Sequence, residues 1–209
     1  MAIDLNDTGE RIRLMIWSGF YTPEDVFEVI SEEYLDPYEL SADDRAWIDA
    51  KAEEEAEAKL EAEQAWPDTT DWDRLDAAFN DLDEAGILGL HNAGVTQSEG
   101  LSDAADIAAQ MKDEGYVFKG FVFYNTQDID RAQKESVLNL TFGAFDGSDT
   151  GEIAQQAGAI LTESGFDIAA NPTPETGITL NDFTWQKRGL GEDEEDDEDQ
   201  DQDQDYEAT

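Results

Sequence analysis

The stretch YVFKGFVFY, residues 116–124, decides the fold class of this chain. Its apolar side chains fall on both alternating faces of an extended backbone, Val117, Phe121 and Phe123 on one face and Phe118, Val122 and Tyr124 on the other. A strand that is apolar and aromatic on both faces is typical of the buried interior of a sheet. The stretch therefore predicts a central strand with helices packed against the sheet.

Strand and helix patterns alternate on both sides of this stretch. Further short strands are predicted at residues 87–90, 137–142, 166–170 and 178 to about 187, and helices beginning near residues 70, 102, 126 and 149. Strand–helix–strand connections favour parallel neighbours, and the turn-forming residues 171–177 predict a terminal hairpin. The expected fold class is α+β, a mixed β-sheet of about five strands packed with helices and preceded by a helical N-terminal extension.

The N-terminal third carries helix-start signals. Thr22 before Pro23 offers a cap oxygen and a proline in the first turn, and Ser41 opens a third helix that reaches about residue 64. After Ile48 this third helix consists almost entirely of alanine, glutamate and lysine, with Trp47, Ile48 and Leu60 as its only anchors. We therefore expect it to be a projecting or linking helix.

Acidic side chains are spread over the whole chain. The 209 residues hold 53 acidic and 12 basic side chains, for a formal net charge of −41, and the 18 residues 192–209 carry 12 acids and no base. The sequence therefore predicts three regions: a helical acidic N-terminal region (1–67), an α/β domain (68–190) and a disordered acidic tail (191–209). Charge repulsion in the first two would be screened in concentrated salt, so the sequence predicts adaptation to a salt-rich cytoplasm.

The composition also narrows the classes of function. A chain this acidic repels nucleic acid and anionic membranes, so direct nucleic-acid binding and membrane association are not expected. Zero cysteines exclude disulfides and thiolate metal sites. Neither a signal peptide nor a membrane-spanning run is predicted, so we expect a soluble, cytoplasmic protein.

Several short motifs resemble a bacterial and archaeal family of uncharacterised proteins, a domain of unknown function. They are HN at residues 91–92, TQSEG at 96–100, FYNTQD at 123–128, FGA at 142–144 and WQKR at 185–188. The resemblance runs over about residues 72–188 and implies no activity. This chain departs from the family pattern at Asn125, where a histidine is expected, and in lacking the cysteines that some relatives carry in the first loop.

Polar residues cluster where two predicted strands end. If the strands near 87–90 and 117–124 are parallel, the loops that follow them leave the same edge of the sheet, which is where ligands bind in open α/β sheets. The candidate ligand-binding residues are His91, Asn92, Thr96, Gln97, Ser98, Glu99, Tyr124, Gln127 and Asp128. An alternative is purely structural: the same side chains cap the strand end and the following helices.

Three functions stay open at this point. The first is a non-enzymatic binding or regulatory module with an unknown protein or small-molecule partner. The second is a small hydrolase or transferase with His91 as general base and Ser98 or water as nucleophile. The third is an acidic mimic of nucleic acid that occupies a basic partner. With one histidine and no cysteine, no metal site and no cofactor are predicted.

Overall fold

A computed structural model describes residues 3–31, 40–145 and 147–189, which form two compact units. Unit 1 contains residues up to 66 together with the segment from 187, and unit 2 contains residues 67–186. The predicted acidic tail, residues 191–209, lies outside the described residues. No helix in the described ranges is long and apolar enough to span a membrane.

The described part of unit 1 contains the helices α1 (Leu5–Ser18), α2 (Pro23–Val29) and α3 (Ala42–Glu63). The predicted caps at Thr22 and Ser41 are both present, and each is reinforced by an aspartate three residues on that bonds back to the cap. The core is formed by apolar side chains from all three helices: Ile12, Met15, Ile16, Val26, Ile30, Ile48 and Ala52.

The expectation of a projecting α3 is wrong. Helix α3 packs against α1 and α2, and it buries Ile48 and Ala52 completely, whereas the predicted anchor Leu60 is 65% exposed. The helix is held instead by buried charged residues, Glu55 and Lys59, in ion pairs. Lys59 pairs with Glu63 one turn on in the same helix, whereas Glu55 reaches Arg13 of α1. That second contact depends on tertiary packing, which an alanine- and glutamate-rich pattern does not reveal.

Unit 2 is the α/β part of the chain. Its elements, in order, are α4 (Asp71–Glu84), β1 (Ile87–Leu90), α5 (Gln97–Asp113), β2 (Gly120–Phe123), α6 (Thr126–Glu135), β3 (Leu138–Ala144), α7 (Thr150–Glu163), β4 (Asp167–Ile168) and β5 (Ile178–Asn181). The five strands form one sheet in the order β1-β2-β3-β5-β4. The α+β class, the mixed sheet and the terminal β4–β5 hairpin are confirmed.

Both faces of β2 are covered, as the alternation of residues 116–124 predicts. Phe121 and Phe123 pack with Ala104 of α5 on one face. Tyr124 contacts Phe79 of α4 on the other face, with ring centroids 6.0 Å apart. The backbone of Gly120 lies so close to α7 that an added Cβ would meet the Ile153 side chain at 2.7 Å. Helices α4 and α7 thus lie on one face of the sheet and α5 on the other.

The pairing of β2 with β3 differs from the parallel expectation. Strand β1 pairs with β2 in parallel, but β2 and β3 are antiparallel, with Phe123 opposite Thr141 and Gly120 opposite Ala144. Helix α6 packs against β3, and Ser136 ends it in the left-handed conformation (φ 56°). The chain therefore turns directly into β3 at the edge where β2 ends, without crossing back over the sheet.

Three element boundaries also differ from the sequence pattern. Strand β2 begins at Gly120, and Tyr116 and Val117 are exposed. Helix α5 begins at Gln97, five residues before the predicted start at Ser102, because Thr96 caps it. Strand β5 ends at Asn181, where Asp182 has a positive φ of 52° that breaks the extended backbone.

The outer edge of β1 is closed by a side chain. Gly89 donates its backbone N–H to Asp83 Oδ1 at 2.8 Å, six residues earlier at the end of α4. Burial raises the pKa of the Asp83 carboxyl above its ordinary value, although the Gly89 hydrogen bond favours the charged form.

Candidate functional site

The two polar loops leave the same edge of the sheet. Parallel pairing aligns Leu90 with Phe123, so residues 91–100 and 124–128 both follow the carboxyl ends of their strands. Backbone hydrogen bonds continue the alignment beyond the strands: Ala93 N–H donates to the Tyr124 carbonyl at 2.9 Å, and Thr126 N–H donates to the Gly94 carbonyl at 3.2 Å. We call this edge, with residues 91–100 and 124–128, the carboxyl rim.

His91 is the most heavily engaged side chain of the carboxyl rim. Its Nδ1 lies 2.8 Å from the Tyr124 hydroxyl, and its Nε2 lies 3.2 Å from Oδ1 of Asp76 on α4. The ring stacks on Phe79, with centroids 4.6 Å apart, and its side chain is 23% exposed. Both ring nitrogens therefore have polar partners, and one ring face is covered.

The hydrogen-bond partners of this group limit where its protons can lie. Trp72 Nε1–H donates to the Tyr124 hydroxyl at 3.2 Å, because an indole nitrogen can only donate. Burial raises the pKa of Tyr124, so the phenol keeps its proton, and its oxygen lies beside His91 Nδ1. A neutral His91 with its proton on Nε2 would accept from the phenol at Nδ1 and donate to Asp76. We call Trp72, Tyr124, His91 and Asp76 the His91 network.

The His91 network joins the core of unit 2 to its surface. Tyr124 is fully buried, and Trp185 packs edge-on against its ring with centroids 5.6 Å apart. At the other end, the Asp76 side chain is 45% exposed. Because each polar group of the His91 network has a hydrogen-bond partner, the network holds His91 in one orientation at the rim.

The remaining rim residues near His91 shape the loop. Asn92 adopts a positive φ of 48°, and its Oδ1 accepts a hydrogen bond from Thr126 Oγ1 at 3.0 Å. The same Thr126 hydroxyl lies 3.3 Å from the Gly94 carbonyl. These contacts tie the loop after β1 to the start of α6.

At the start of α5, two candidate residues act as caps. Thr96 accepts from the Glu99 backbone N–H, and Glu99 accepts from the backbone N–H groups of Thr96 and Val95 at 2.9 and 2.8 Å. These bonds lower the pKa of the Glu99 carboxyl. Gln97 reaches across to Thr141 Oγ1 at 3.3 Å, and Ser98 is exposed.

The start of α6 repeats this arrangement. Asn125 caps the helix, and its backbone N–H donates to the Asp128 carboxylate at 3.3 Å. Burial raises the pKa of the Asp128 carboxyl, against the effect of that hydrogen bond and of Arg131 at 3.8 Å. Gln127 is exposed at the rim. Glu99 and Asp128 thus serve the helix ends, while ligand binding by the nine candidates stays a prediction.

Two residues of the His91 network, Trp72 and Asp76, were not among the sequence candidates. They lie four positions apart on α4, so they share one helix face. The sequence offered a weak signal, since Trp72 and Asp76 lie beside the apolar stripe that contains Phe79. Only the packing of α4 against β1 brings that face to His91.

In the described parts of the chain, no group of three or more histidine, cysteine, aspartate or glutamate side chains is arranged to hold a metal ion.

A family model matches residues 3–189, and its description is Domain of unknown function (DUF6891). The chain therefore belongs to this family, as the resemblance over residues 72–188 indicates. The match also takes in the N-terminal helices, which the motifs did not reach. No curated protein and no solved structure matches the chain.

Proposed function

We propose that this protein is a non-enzymatic binding or regulatory module and that the carboxyl rim of unit 2 is its binding surface. The observation that carries the proposal is the engagement of both nitrogens of His91, by Tyr124 and Asp76. An imidazole fixed in this way positions a surface but has no ring nitrogen open to accept a substrate proton.

The rim offers polar groups to a partner around this fixed centre. Gln97, Ser98 and Gln127 are exposed, and the Asp76 carboxylate is 45% exposed. Amide, hydroxyl and carboxylate groups together supply donors and acceptors for a small polar molecule or for a polar segment of a protein. Rigid neighbours such as the capped ends of α5 and α6 reduce the entropy lost on binding.

The alternative of a hydrolase or transferase is favoured by one contact, the Asp76–His91 pair. An aspartate that orients an imidazole is a common feature of acid–base sites. However, the imidazole nitrogen opposite Asp76 meets the buried phenol of Tyr124, and Ser98 lies in the first turn of α5. Equal turnover by wild type and His91→Ala over a substrate panel would eliminate His91 as a catalyst. The nucleic-acid mimic rests on the charge of the chain alone.

The binding proposal can be tested by NMR, because His91 is the sole histidine of the chain and its imidazole signals need no assignment. We expect these signals to shift and saturate with at least one member of a panel of amino acids, sugars and nucleotides, or with a protein recovered by pull-down in KCl. Gln127→Ala should weaken the response, while Gln110→Ala, an exposed change on α5, should not. No response to the panel and no recovered partner would reject the proposal.

We place the working environment of the protein in a salt-rich cytoplasm. The support is the net charge of −41, which is spread over both units and the tail. Raising KCl from about 0.1 M to about 1 M shortens the Debye length from about 10 Å to about 3 Å and weakens the repulsion. The thermal unfolding midpoint should rise steeply over that range. A midpoint that is independent of KCl would contradict this environment.

A further inference from the structure

A groove opens at the edge of the unit 2 sheet opposite the carboxyl rim. It has a volume of about 440 Å³, within the range of small-molecule sites. Its walls are formed by the C-terminal half of α5, by residues 117–119 just before β2, and by Phe145 and Ser148 after β3. The residues that line it are Ala105, Ala108, Ala109, Lys112, Val117, Phe118, Lys119, Phe145 and Ser148.

The walls of this groove are apolar and supported from beneath. Val117 is 76% exposed, so its side chain presents apolar surface to solvent. Phe118 and Phe145 are partly buried against the cluster that contains Phe121, and the Phe121 and Phe145 rings are 5.2 Å apart. The apolar surface is therefore held in place by the core and exists without a ligand.

The described lining residues of the groove carry a charge opposite to that of the chain. Acidic residues make up 53 of the 209 residues, so nine residues of average composition would hold about two. The described lining residues instead include two lysines, Lys112 and Lys119, and no acid. Lysine is scarce in this sequence, so two lysines at one groove give its described lining a local excess of positive charge.

The two lysines differ in how they are held. Lys119 Nζ donates to Gln156 Oε1 at 2.6 Å, which orients its ammonium and leaves two of its three N–H donors for other acceptors. Lys112 lies in the last turn of α5 and is exposed. The Lys119 ammonium is therefore already oriented before a ligand binds, whereas the exposed Lys112 side chain can move to contact an anionic group.

We infer that the groove binds a small organic acid, whose apolar body lies on Ala108, Val117 and Phe118 and whose carboxylate pairs with Lys112 and Lys119. Contact with the alanine and aromatic walls provides affinity, and the ammonium groups select the anionic head group. The site is independent of the carboxyl rim, because it lies at the other end of β2.

Three probes with the same apolar body separate the two contributions. Octanoate, octanol and octylammonium are titrated into the full chain in about 0.5 M KCl, where only close charge pairs escape screening. Octanoate should bind about ten-fold more tightly than octanol, and octylammonium most weakly. The methyl signals of Val117 and Ala108 should move while the imidazole signals of His91 do not. Movement at His91 alone would assign octanoate to the carboxyl rim and reject the groove.

Two variants complete the test. Replacing both lysines, Lys112→Gln with Lys119→Gln, should bring octanoate to within two-fold of octanol, whereas Lys134→Gln on α6 should preserve the preference. Ala109→Phe, an exposed change that leaves both lysines, should fill the groove and abolish binding of all three probes. Equal affinity for octanoate and octanol in the wild type, unchanged preference in the double variant, or no binding of octanoate would each overturn the inference.

Discussion

Unit 1 and unit 2 bury polar groups in different ways. Among the described residues, the buried charged side chains are Glu55, Lys59 and Lys187 in unit 1 and Asp128 in unit 2. Unit 2 also buries the hydroxyl of Tyr124, an uncharged polar group that is hydrogen-bonded to Trp72 and His91. One chain with a uniform excess of acid therefore holds two kinds of interior.

The supply of apolar residues explains the difference. Helix α3 has few large apolar side chains, so Glu55 closes its contact with α1 by accepting hydrogen bonds from Arg13 at 2.9 Å and Trp17 at 3.0 Å. Lys51 adds an ion pair to the same carboxylate at 2.8 Å. Unit 2 has enough aromatic and branched side chains to cover both faces of β2. Buried ion pairs therefore occur on α3, the helix with few large apolar side chains.

The largest effect is expected from Glu55→Gln. The change leaves Arg13, Trp17 and Lys51 around a neutral amide and should lower the free energy of opening of unit 1 by about 2 kcal/mol. The value allows for the partial exposure of Arg13 and Lys51. Hydrogen exchange at the Ile48 and Ala52 amides measures it. Glu54→Gln, at a neighbouring exposed carboxylate, is the control and should change it by less than about 0.5 kcal/mol. Equal effects of the two changes would mean that Glu55 is not part of the interior.

Tyr124→Phe probes the neutral interior of unit 2. Without the hydroxyl, the Trp72 indole N–H and His91 Nδ1 lose their shared partner, and unit 2 should lose about 1 to 2 kcal/mol. Urea unfolding followed by the indole signal of Trp185 measures the loss. Tyr116→Phe removes an exposed hydroxyl and should have no measurable effect. If both tyrosine variants match the wild type, the His91 network contributes no stability.

A smaller effect is expected when the pH is lowered. The free energy of unfolding should fall in unit 1 and rise in unit 2. In Glu55, burial is outweighed by the hydrogen bonds from Lys51 and Trp17, so the pKa of the carboxyl is lowered. Its contribution is complete above the unfolded-state pKa, about 4.3, and is lost as pH falls through the folded value. Burial raises the pKa of Asp83 and Asp128, so their charged forms destabilise unit 2 as pH rises through the folded values, and acid relieves that cost.

Between about pH 5 and pH 3, unit 1 should therefore lose stability relative to unit 2. Urea unfolding followed separately by the indole signals of Trp47 in unit 1 and Trp185 in unit 2 measures the difference. Glu55→Gln should reduce the loss in unit 1, and Asp128→Asn should reduce the relative gain in unit 2. Parallel pH profiles in the two units would contradict the assignment.

The smallest effect is expected from Leu60→Gln. Because Leu60 is 65% exposed, its replacement should change the stability of unit 1 by less than about 0.5 kcal/mol. Ile48→Val, at a fully buried position of the same helix, should cost about 1 kcal/mol. Thermal unfolding compares the two. If Leu60→Gln lowered the free energy of unfolding more than Ile48→Val, Leu60 would anchor α3 as the sequence pattern indicated.

Local signals in the sequence predicted much of the fold. A cap residue and the apolar stripe of a helix lie within a few positions of each other, so the caps at Thr22 and Ser41 could be identified from short segments. The central strand was recognisable because both of its faces are apolar. The β2–β3 direction was not predictable, because it depends on where α6 packs and on the left-handed backbone of Ser136.

The candidate site was predictable only in part. Parallel β1 and β2 place both loops at one edge, as the sequence indicated, and His91 and Tyr124 do meet there. The partners Trp72 and Asp76 come from α4, and their place beside its apolar stripe does not by itself show that this face meets the rim. Likewise, the acids near Leu60 gave no sign that Glu55 would be buried, because its partner Arg13 is 42 residues away.

The two edges of the unit 2 sheet have a consequence for association between molecules. A strand edge with unpaired N–H groups can template the addition of a strand from another chain, which is the first step of amyloid-like growth. At one edge, the Asp83 carboxylate already occupies the Gly89 N–H; at the other, β4 is only two residues long. An incoming strand would meet a carboxylate at the first edge and too short a ladder at the second. The fold thus carries its own protection against sheet-to-sheet aggregation, in addition to the mutual repulsion of its charges.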